Sequence, residues 1–105
     1  MISMILRKNK FQNKIAYHKT GKGEPIILLH GLGLRAESWI EQINFFKKKF
    51  TVYAIDLPGH GKSNILSGKK VDLKNYSEKV IQFIKDKNIN KPILIGHSFG
   101  ALITI

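Results

Sequence analysis

The chain has 105 residues, of which 43% are hydrophobic and 10% aromatic, a length and composition that fit one globular domain and exclude a disordered segment. It contains no Cys, which excludes disulfides and thiolate metal sites, and its apolar runs are too short to cross a membrane. The formal net charge is +11, but the lysines cluster only in "FKKKF" and "SGKK" without an aromatic-rich basic stripe, so we expect no specific nucleic-acid partner.

The first residues and the lack of Cys bear on location. In "MISMIL" and the residues after it the charges follow the apolar run, the reverse of a secretory signal. The absence of Cys favours a reducing compartment as the location of the protein. We therefore expect a cytoplasmic protein with no membrane partner.

Short strands and turns are predicted in the first half of the chain. Residues 3–8 and 13–18 are strand-like runs separated by the polar "NKFQ", which predicts an antiparallel hairpin, and "KTGKGEP" follows as a turn-rich link. The run "PIILLH", residues 25–30, is typical of a parallel strand buried on both faces. Residues 37–49 predict a helix and residues 51–56, "TVYAID", the next strand. The apolar side of that helix is predicted to carry Trp39, Ile40, Ile43 and Phe46.

The second half alternates helix and strand. In residues 72–88 apolar residues recur at intervals of three and four, which predicts a helix with Asp72 as its N-cap. Residues 91–98, "KPILIGHS", form a third buried strand, and residues 99–105 begin another helix. This alternation predicts an α/β domain over residues 1–105, with the hairpin followed by a parallel sheet with right-handed crossovers. The apolar positions of the 72–88 helix are Leu73, Tyr76, Val80, Phe83 and Ile84.

A glycine-containing turn follows each of the three predicted parallel strands, at the edge where open α/β sheets bind ligands. The first, "HGLGLRA", fits the G-x-G-x-x-A dinucleotide fingerprint through Gly31, Gly33 and Ala36, with Asp56 at the end of the next strand. A dinucleotide-binding domain is therefore one interpretation. The second turn, "DLPGHGKS", resembles the end of a phosphate-binding P-loop, but Asp56 stands where that motif requires its first glycine, which excludes it.

The third turn, "GHSFG", places Ser98 between Gly96 and Gly100 at the end of an apolar strand. This is the pattern of a nucleophile elbow, in which side chains at the glycine positions would collide with neighbouring backbone. Together the three turns resemble the N-terminal part of the α/β-hydrolase family, in its serine esterase and lipase-like members. The residues that carry the resemblance are His30-Gly31, Asp56 with Gly59, Gly61 and Ser63, and Gly96-His97-Ser98-Phe99-Gly100.

The resemblance implies that Ser98 is the nucleophile in hydrolysis of a small ester-like substrate, with no cofactor and no metal ion. It also implies an oxyanion hole made by the backbone N–H groups of Phe99 and Leu32. A simple helix N-cap is the alternative role for Ser98, but it leaves the two flanking glycines unexplained. Asp56 is expected to hold its own glycine turn by accepting hydrogen bonds from backbone amides.

Structural roles are expected for the four histidines and for the tryptophan. His30 and His97 are expected to bond loop backbone, and His60 is expected to pack or to face water in its turn. His18 is expected to be exposed near the end of a strand. Trp39 is expected to anchor the core.

The chain lacks the rest of a family-type catalytic triad. Such a triad follows the order Ser, acid, His, but the seven residues after Ser98 contain neither an acid nor a histidine. We therefore expect a partial domain that is inactive alone and whose C-terminal part is absent or is a separately encoded partner. The strand at residues 91–98, interior in the family, is then expected at an exposed sheet edge. A non-catalytic scaffold or interaction module is the alternative in another functional class.

Overall fold

The computed structural model describes residues 15–63 and 72–104. The strands are β1 (Tyr17–Gly21), β2 (Glu24–Leu29), β3 (Phe50–Ile55) and β4 (Ile93–Gly96). The helices are α1 (Ile40–Phe46), which a 3-10 helix (Ala36–Trp39) precedes, α2 (Leu73–Asp86) and α3 (Phe99–Ile103). The first predicted hairpin strand, residues 3–8, lies outside the described residues.

The strands form one mixed sheet in the order β1-β3-β2-β4. β2, β3 and β4 are parallel, whereas β1 runs antiparallel to β3. Leu29 pairs with Ile55 on one side and with Gly96 on the other, so the carboxyl ends of the parallel strands are level and bring the following turns to one edge. The predicted α/β class is confirmed. The strand predicted at residues 13–18 is displaced along the chain, since β1 begins at Tyr17.

Helices cover both faces of the central strands, which explains why these strands are apolar without alternation. Successive residues of a strand point to opposite faces, so Ile27 packs toward α2 and the next residue, Leu28, toward α1. The buried cluster on the α2 side consists of Ile15, Ile27, Leu29, Tyr53, Ile55, Leu57, Tyr76, Val80, Phe83 and Ile103. The cluster on the α1 side consists of Ile26, Leu28, Ala36, Ile43, Val52 and Ala54.

The helix predicted at residues 37–49 is shorter than expected and begins with a 3-10 helix. Ile43 is buried as predicted, and Trp39 and Phe46 pack against the α1-side cluster while remaining partly buried. Ile40, predicted on the same side, is 54% exposed, and this prediction is wrong. The reason is the change of pitch, because a 3-10 helix has three residues per turn and the 3.6-residue period does not extend across its junction with α1.

Helix α2 follows its prediction closely. The Asp72 side chain accepts a hydrogen bond from the Asn75 N–H at 2.8 Å, which confirms Asp72 as the N-cap. Tyr76, Val80 and Phe83 are buried against the sheet and Ile84 is partly buried, as the spacing indicated, whereas Leu73, predicted on the same face, is 40% exposed in the first turn, and this prediction is wrong. Within residues 15–63 and 72–104, no helix has the length and apolar character needed to span a membrane.

Strand β4 lies at an edge of the sheet, and it is shorter than the strand predicted over residues 91–98 and partly buried rather than buried. Among the described strands it pairs with β2 alone, and its Ile93 side chain is 43% exposed. The backbone groups on its outer side have no strand partner in the described part of the chain. The expectation of an edge position is therefore met, and an edge of this kind is a template for pairing with another strand.

Candidate active site

Ser98 occupies a strained turn between β4 and α3. Its φ is 56° and its ψ is −116°, a backbone conformation that a non-glycine residue rarely adopts and that costs about 1–3 kcal/mol. The side chain is exposed and makes no capping bond to α3, so the N-cap alternative does not describe this residue. Within the described residues the Ser98 hydroxyl forms no hydrogen bond, and no histidine is bonded to it.

The glycines on either side permit a close approach of backbones. A Cβ at Gly96 would lie 2.5 Å from the Ala101 nitrogen, and a Cβ at Gly100 would lie 2.7 Å from the His30 carbonyl oxygen and closer still to that of Leu29. Real Cβ atoms essentially never come within 3.0 Å of such atoms. Glycine is therefore required at Gly96 for the first turn of α3 to lie against the end of β4, and at Gly100 for α3 to pack against the end of β2, as the motif predicted.

The loop after β2 runs beside the turn that bears Ser98. A Cβ at Gly31 would lie 3.3 Å from the Ser98 Cβ, and the His97 N–H donates to the Leu29 carbonyl at 3.0 Å. Leu32 follows Gly31 directly, and its N–H has no acceptor among the described residues. The Phe99 N–H belongs to the first residue of α3, where helical N–H groups have no partner inside the helix. The two predicted oxyanion donors thus belong to backbone segments that meet at Ser98.

Asp56 joins two of the glycine turns. Its side chain is buried, and it accepts hydrogen bonds from the Lys62 N–H at 2.9 Å and from the Ala36 N–H at 2.7 Å. The predicted role in its own turn is therefore confirmed, and the bond to Ala36 adds a second role. Under the dinucleotide interpretation the amides after Gly31 bind pyrophosphate and Asp56 binds a ribose hydroxyl. The geometry does not support this interpretation, because Asp56 is enclosed and already occupies the Ala36 amide.

Ser63 has a role that the sequence analysis did not assign. Its hydroxyl donates to the Asp56 carbonyl at 2.5 Å and accepts from the Ala16 N–H at 2.8 Å, and the Asp56 N–H donates to the Ala16 carbonyl at 2.9 Å. The serine therefore ties the end of β3 to the residues that lead into β1. Its place at the end of Gly-x-Gly-x-Ser was the only sequence signal for it.

His30 is buried and holds two backbone groups. Its Nδ1–H donates to the Gly31 carbonyl at 2.7 Å, and its Nε2 accepts from the Leu57 N–H at 2.9 Å. Burial lowers the pKa of His30 below its ordinary value of 6.5, which favours the neutral ring that these two bonds require. The expected structural role of His30 is confirmed.

The other three histidines differ in what they contact. His60 is partly buried, and it accepts from the Gly33 N–H at 2.9 Å, a contact that the sequence analysis missed. His97 is exposed, and its ring makes no hydrogen bond among the described residues, so the expected bond to loop backbone is not found; its carbonyl accepts from the Gly100 N–H at 3.0 Å in the turn that bears Ser98. His18 is exposed as expected and pairs with Glu37 at 2.5 Å.

Comparison with known proteins identifies what the chain resembles. The sequence profile of the alpha/beta hydrolase fold matches residues 24–104. The chain is 40% identical over 105 residues to the (E)-2-((N-methylformamido)methylene)succinate hydrolase of Acinetobacter baylyi, covering 99% of this chain and 39% of that protein. It is 34% identical over 83 residues to the pimeloyl-[acyl-carrier protein] methyl ester esterase of Pseudoalteromonas atlantica, covering 79% of this chain and 31% of that protein.

A solved structure gives the same result for the fold. An esterase from a marine microorganism superimposes with a TM-score of 0.76 at 34% identity, over 82% of this chain and 33% of its own. The 105 residues therefore span between about a third and two fifths of the length of the proteins they match.

Proposed function

The chain belongs to the α/β-hydrolase fold family, and on that premise we propose that it carries the nucleophile of a serine hydrolase for small ester-like substrates. The observation that carries this proposal is the conformation of Ser98, which is exposed and free of side-chain bonds in the described structure at a φ of 56°. Backbone strain of this kind clusters at active sites and ligand clamps, which supports a catalytic role for Ser98. The relative named as a methyl ester esterase supports the ester-like substrate class, and the relative named as an (E)-2-((N-methylformamido)methylene)succinate hydrolase supports hydrolysis as the reaction.

In the proposed reaction, the Ser98 oxygen attacks the carbonyl carbon of the ester, and the electron pair of the C=O double bond moves onto the carbonyl oxygen. The N–H groups of Phe99 and Leu32 donate hydrogen bonds to that oxygen as it becomes negative. One such donor contributes about 3–4 kcal/mol to the lowering of the barrier. The intermediate then expels the alcohol and leaves an acyl-serine, from which water releases the acid.

The proton of Ser98 requires a base that these residues do not supply. In the described structure no histidine is bonded to the Ser98 hydroxyl, and Asp56 uses its carboxylate to hold two backbone amides. We propose that the acid and the histidine come from polypeptide outside the 105 residues. A separately encoded C-terminal half is one source of that polypeptide. The open edge of β4 is the position at which a further parallel strand would add to the sheet.

Covalent labelling with a fluorophosphonate tests the nucleophile. The Ser98 oxygen bonds to phosphorus, fluoride leaves and the hydroxyl proton passes to water. We expect slow labelling of the wild-type chain, no labelling of Ser98→Ala, and unchanged labelling of the matched control Ser38→Ala, which removes another exposed serine. Equal labelling of wild type and Ser98→Ala would overturn the assignment.

The same variants test the complete reaction. When the chain is co-expressed with a C-terminal segment of the family that carries an acid and a histidine, we expect p-nitrophenyl ester hydrolysis well above that of the chain alone. Ser98→Ala should remove this hydrolysis and leave the solubility of the complex unchanged, because the serine does not lie in the core. A soluble complex that hydrolyses no ester would favour the non-catalytic scaffold.

A further inference from the structure

Residues 31–35, which follow His30 in the loop between β2 and the 3-10 helix, are held at few points. The side chains of Leu32 and Leu34 are exposed, and a Cβ at Gly33 would meet nothing within 4 Å. One turn bond, from the Leu34 N–H to the Gly31 carbonyl at 3.1 Å, lies inside the loop. The tip of the loop is tied to the rest of the described chain by the bond from the Gly33 N–H to the Nε2 of His60, at 2.9 Å.

That bond requires a particular form of the imidazole. The Nδ1 of His60 lies 3.0 Å from the Pro58 carbonyl oxygen, which can only accept, so the ring proton is on Nδ1. The Nε2 atom then carries a lone pair and accepts from Gly33. A second proton on the ring would convert Nε2 into a donor that opposes the Gly33 N–H, and the bond would be lost.

We propose that His60 is a positioning residue, whose neutral imidazole fixes Gly33 and thereby holds the adjacent Leu32 N–H beside Ser98. The inference rests on the proposed function, in which that N–H is an oxyanion donor. Gly33 has a φ of +82° and no packed neighbour, so its backbone can change conformation once the bond is broken. A displaced Leu32 N–H would no longer stabilise charge on the reacting oxygen.

Three titratable side chains lie around His60. The His30 ring lies 5.1 Å away, and burial lowers the pKa of His30, so that this second imidazole stays neutral to lower pH. Tyr76 on α2 packs edge-on against the His60 ring, with 6.4 Å between the ring centres. Burial raises the pKa of Tyr76, so its hydroxyl is also neutral. The third group, Asp56, precedes the turn that bears His60, and its carboxylate accepts a hydrogen bond from the Lys62 N–H rather than from the His60 ring.

Two substitutions separate the hydrogen bond from the fold. His60→Gln places an amide oxygen near the position of Nε2, and this oxygen accepts at any pH. His60→Ala removes the acceptor. His18→Gln is the matched control, because it removes an exposed histidine that lies outside the loop. Thermal unfolding of each variant reports whether the fold is retained.

The readouts are the rate at which a fluorophosphonate labels Ser98 and the amide resonance of Gly33 in 15N-labelled chain. Near pH 8 we expect His60→Ala to label about tenfold more slowly than wild type, from the loss of about one hydrogen bond, with His60→Gln and His18→Gln close to wild type. As the pH falls, the Gly33 resonance should shift together with those of the His60 ring. Over the same interval wild type should lose labelling rate relative to His60→Gln.

The outcomes distinguish this inference from the function on which it rests. If His60→Ala folds, labels at the wild-type rate and has the Gly33 resonance at its wild-type position, the positioning role is overturned and Ser98 remains the nucleophile. If His60→Ala does not fold, the pH-dependent ratio of wild type to His60→Gln decides, and a constant ratio overturns the proposal. Absence of Ser98 labelling in wild type would refute the proposed function and with it the catalytic purpose of the contact between His60 and Gly33. The pH-dependent shift of the Gly33 resonance would still report the hydrogen bond itself.

Discussion

Substitution of Gly100 by alanine tests the close packing of α3 on the end of β2. Gly100 does not have a positive φ, so an alanine there meets no intrinsic backbone penalty and its cost is steric. The new Cβ would lie 2.7 Å from the His30 carbonyl oxygen, whereas ordinary contact begins at 3.4 Å, and the Leu29 carbonyl oxygen is nearer still. Both opposing atoms belong to backbone and cannot swing aside, so α3 itself must move away from the strand.

The magnitude follows from the cost of overpacking. Inserting a methyl group into a close-packed region destabilises a protein by about 1–3 kcal/mol, and rigid backbone neighbours place Gly100→Ala at about 3 kcal/mol. That is a large part of the roughly 5–15 kcal/mol by which native domains are stable. The free energy of unfolding falls with urea concentration by about 1.5 kcal/mol per M, so the urea midpoint of Gly100→Ala should be about 2 M lower than that of wild type.

Urea unfolding followed by the fluorescence of the single tryptophan, Trp39, measures this shift. Gly33→Ala is the matched control, because its Cβ would meet nothing within 4 Å and its cost, about 1–2 kcal/mol, comes from its φ of +82° alone. Gly31→Ala, with its nearest neighbours at 3.3 Å, should fall well below Gly100→Ala. If Gly100→Ala destabilised the chain no more than Gly33→Ala, the described contact between α3 and β2 would be wrong.

Two further predictions concern side chains that bind backbone or pair at the surface. Asp56→Asn should lower the free energy of unfolding by about 1–3 kcal/mol in the same urea assay, because the amide oxygen can replace only one of the two carboxylate oxygens. The NH2 group in the other position is a donor and cannot accept from the Ala36 or the Lys62 N–H. An effect no larger than that of the exposed Asp86→Asn would contradict this prediction. The hydrogen bond from His18 lowers the pKa of Glu37, so the pair stabilises the fold above the unfolded-state pKa of Glu37, and this contribution is lost as the pH falls through the lowered value. Since both side chains are exposed, this loss of stability should be small. His18→Ala should raise the pKa of Glu37, which an NMR titration of the Glu37 carboxyl carbon measures. An unchanged pKa would refute the pairing.

The order of strands and helices could be predicted from the sequence because periodicity is a local property. The continuous apolar run of β2 indicated a strand covered on both faces, and the three- and four-residue spacing in α2 indicated one buried helical face. The turn around Ser98 was also predictable, since its flanking glycines serve a close approach within the motif itself. Local periodicity did not predict the 3-10 helix before α1, where the change of pitch left Ile40 exposed.

What brings the site together depends on contacts between residues far apart in the chain. The sheet order places β4 beside β2, and this places Gly31 against Ser98. Two bonds that shape the loop after β2, from Ala36 to Asp56 and from Gly33 to His60, cross 20 and 27 residues. They join a side chain on one turn to a backbone N–H on another, and they form only after the crossovers have brought the carboxyl ends of the strands to one edge. Motif spacing identifies the turns, but it carries no information about which N–H group an imidazole or a carboxylate will meet, and that choice was made by tertiary packing.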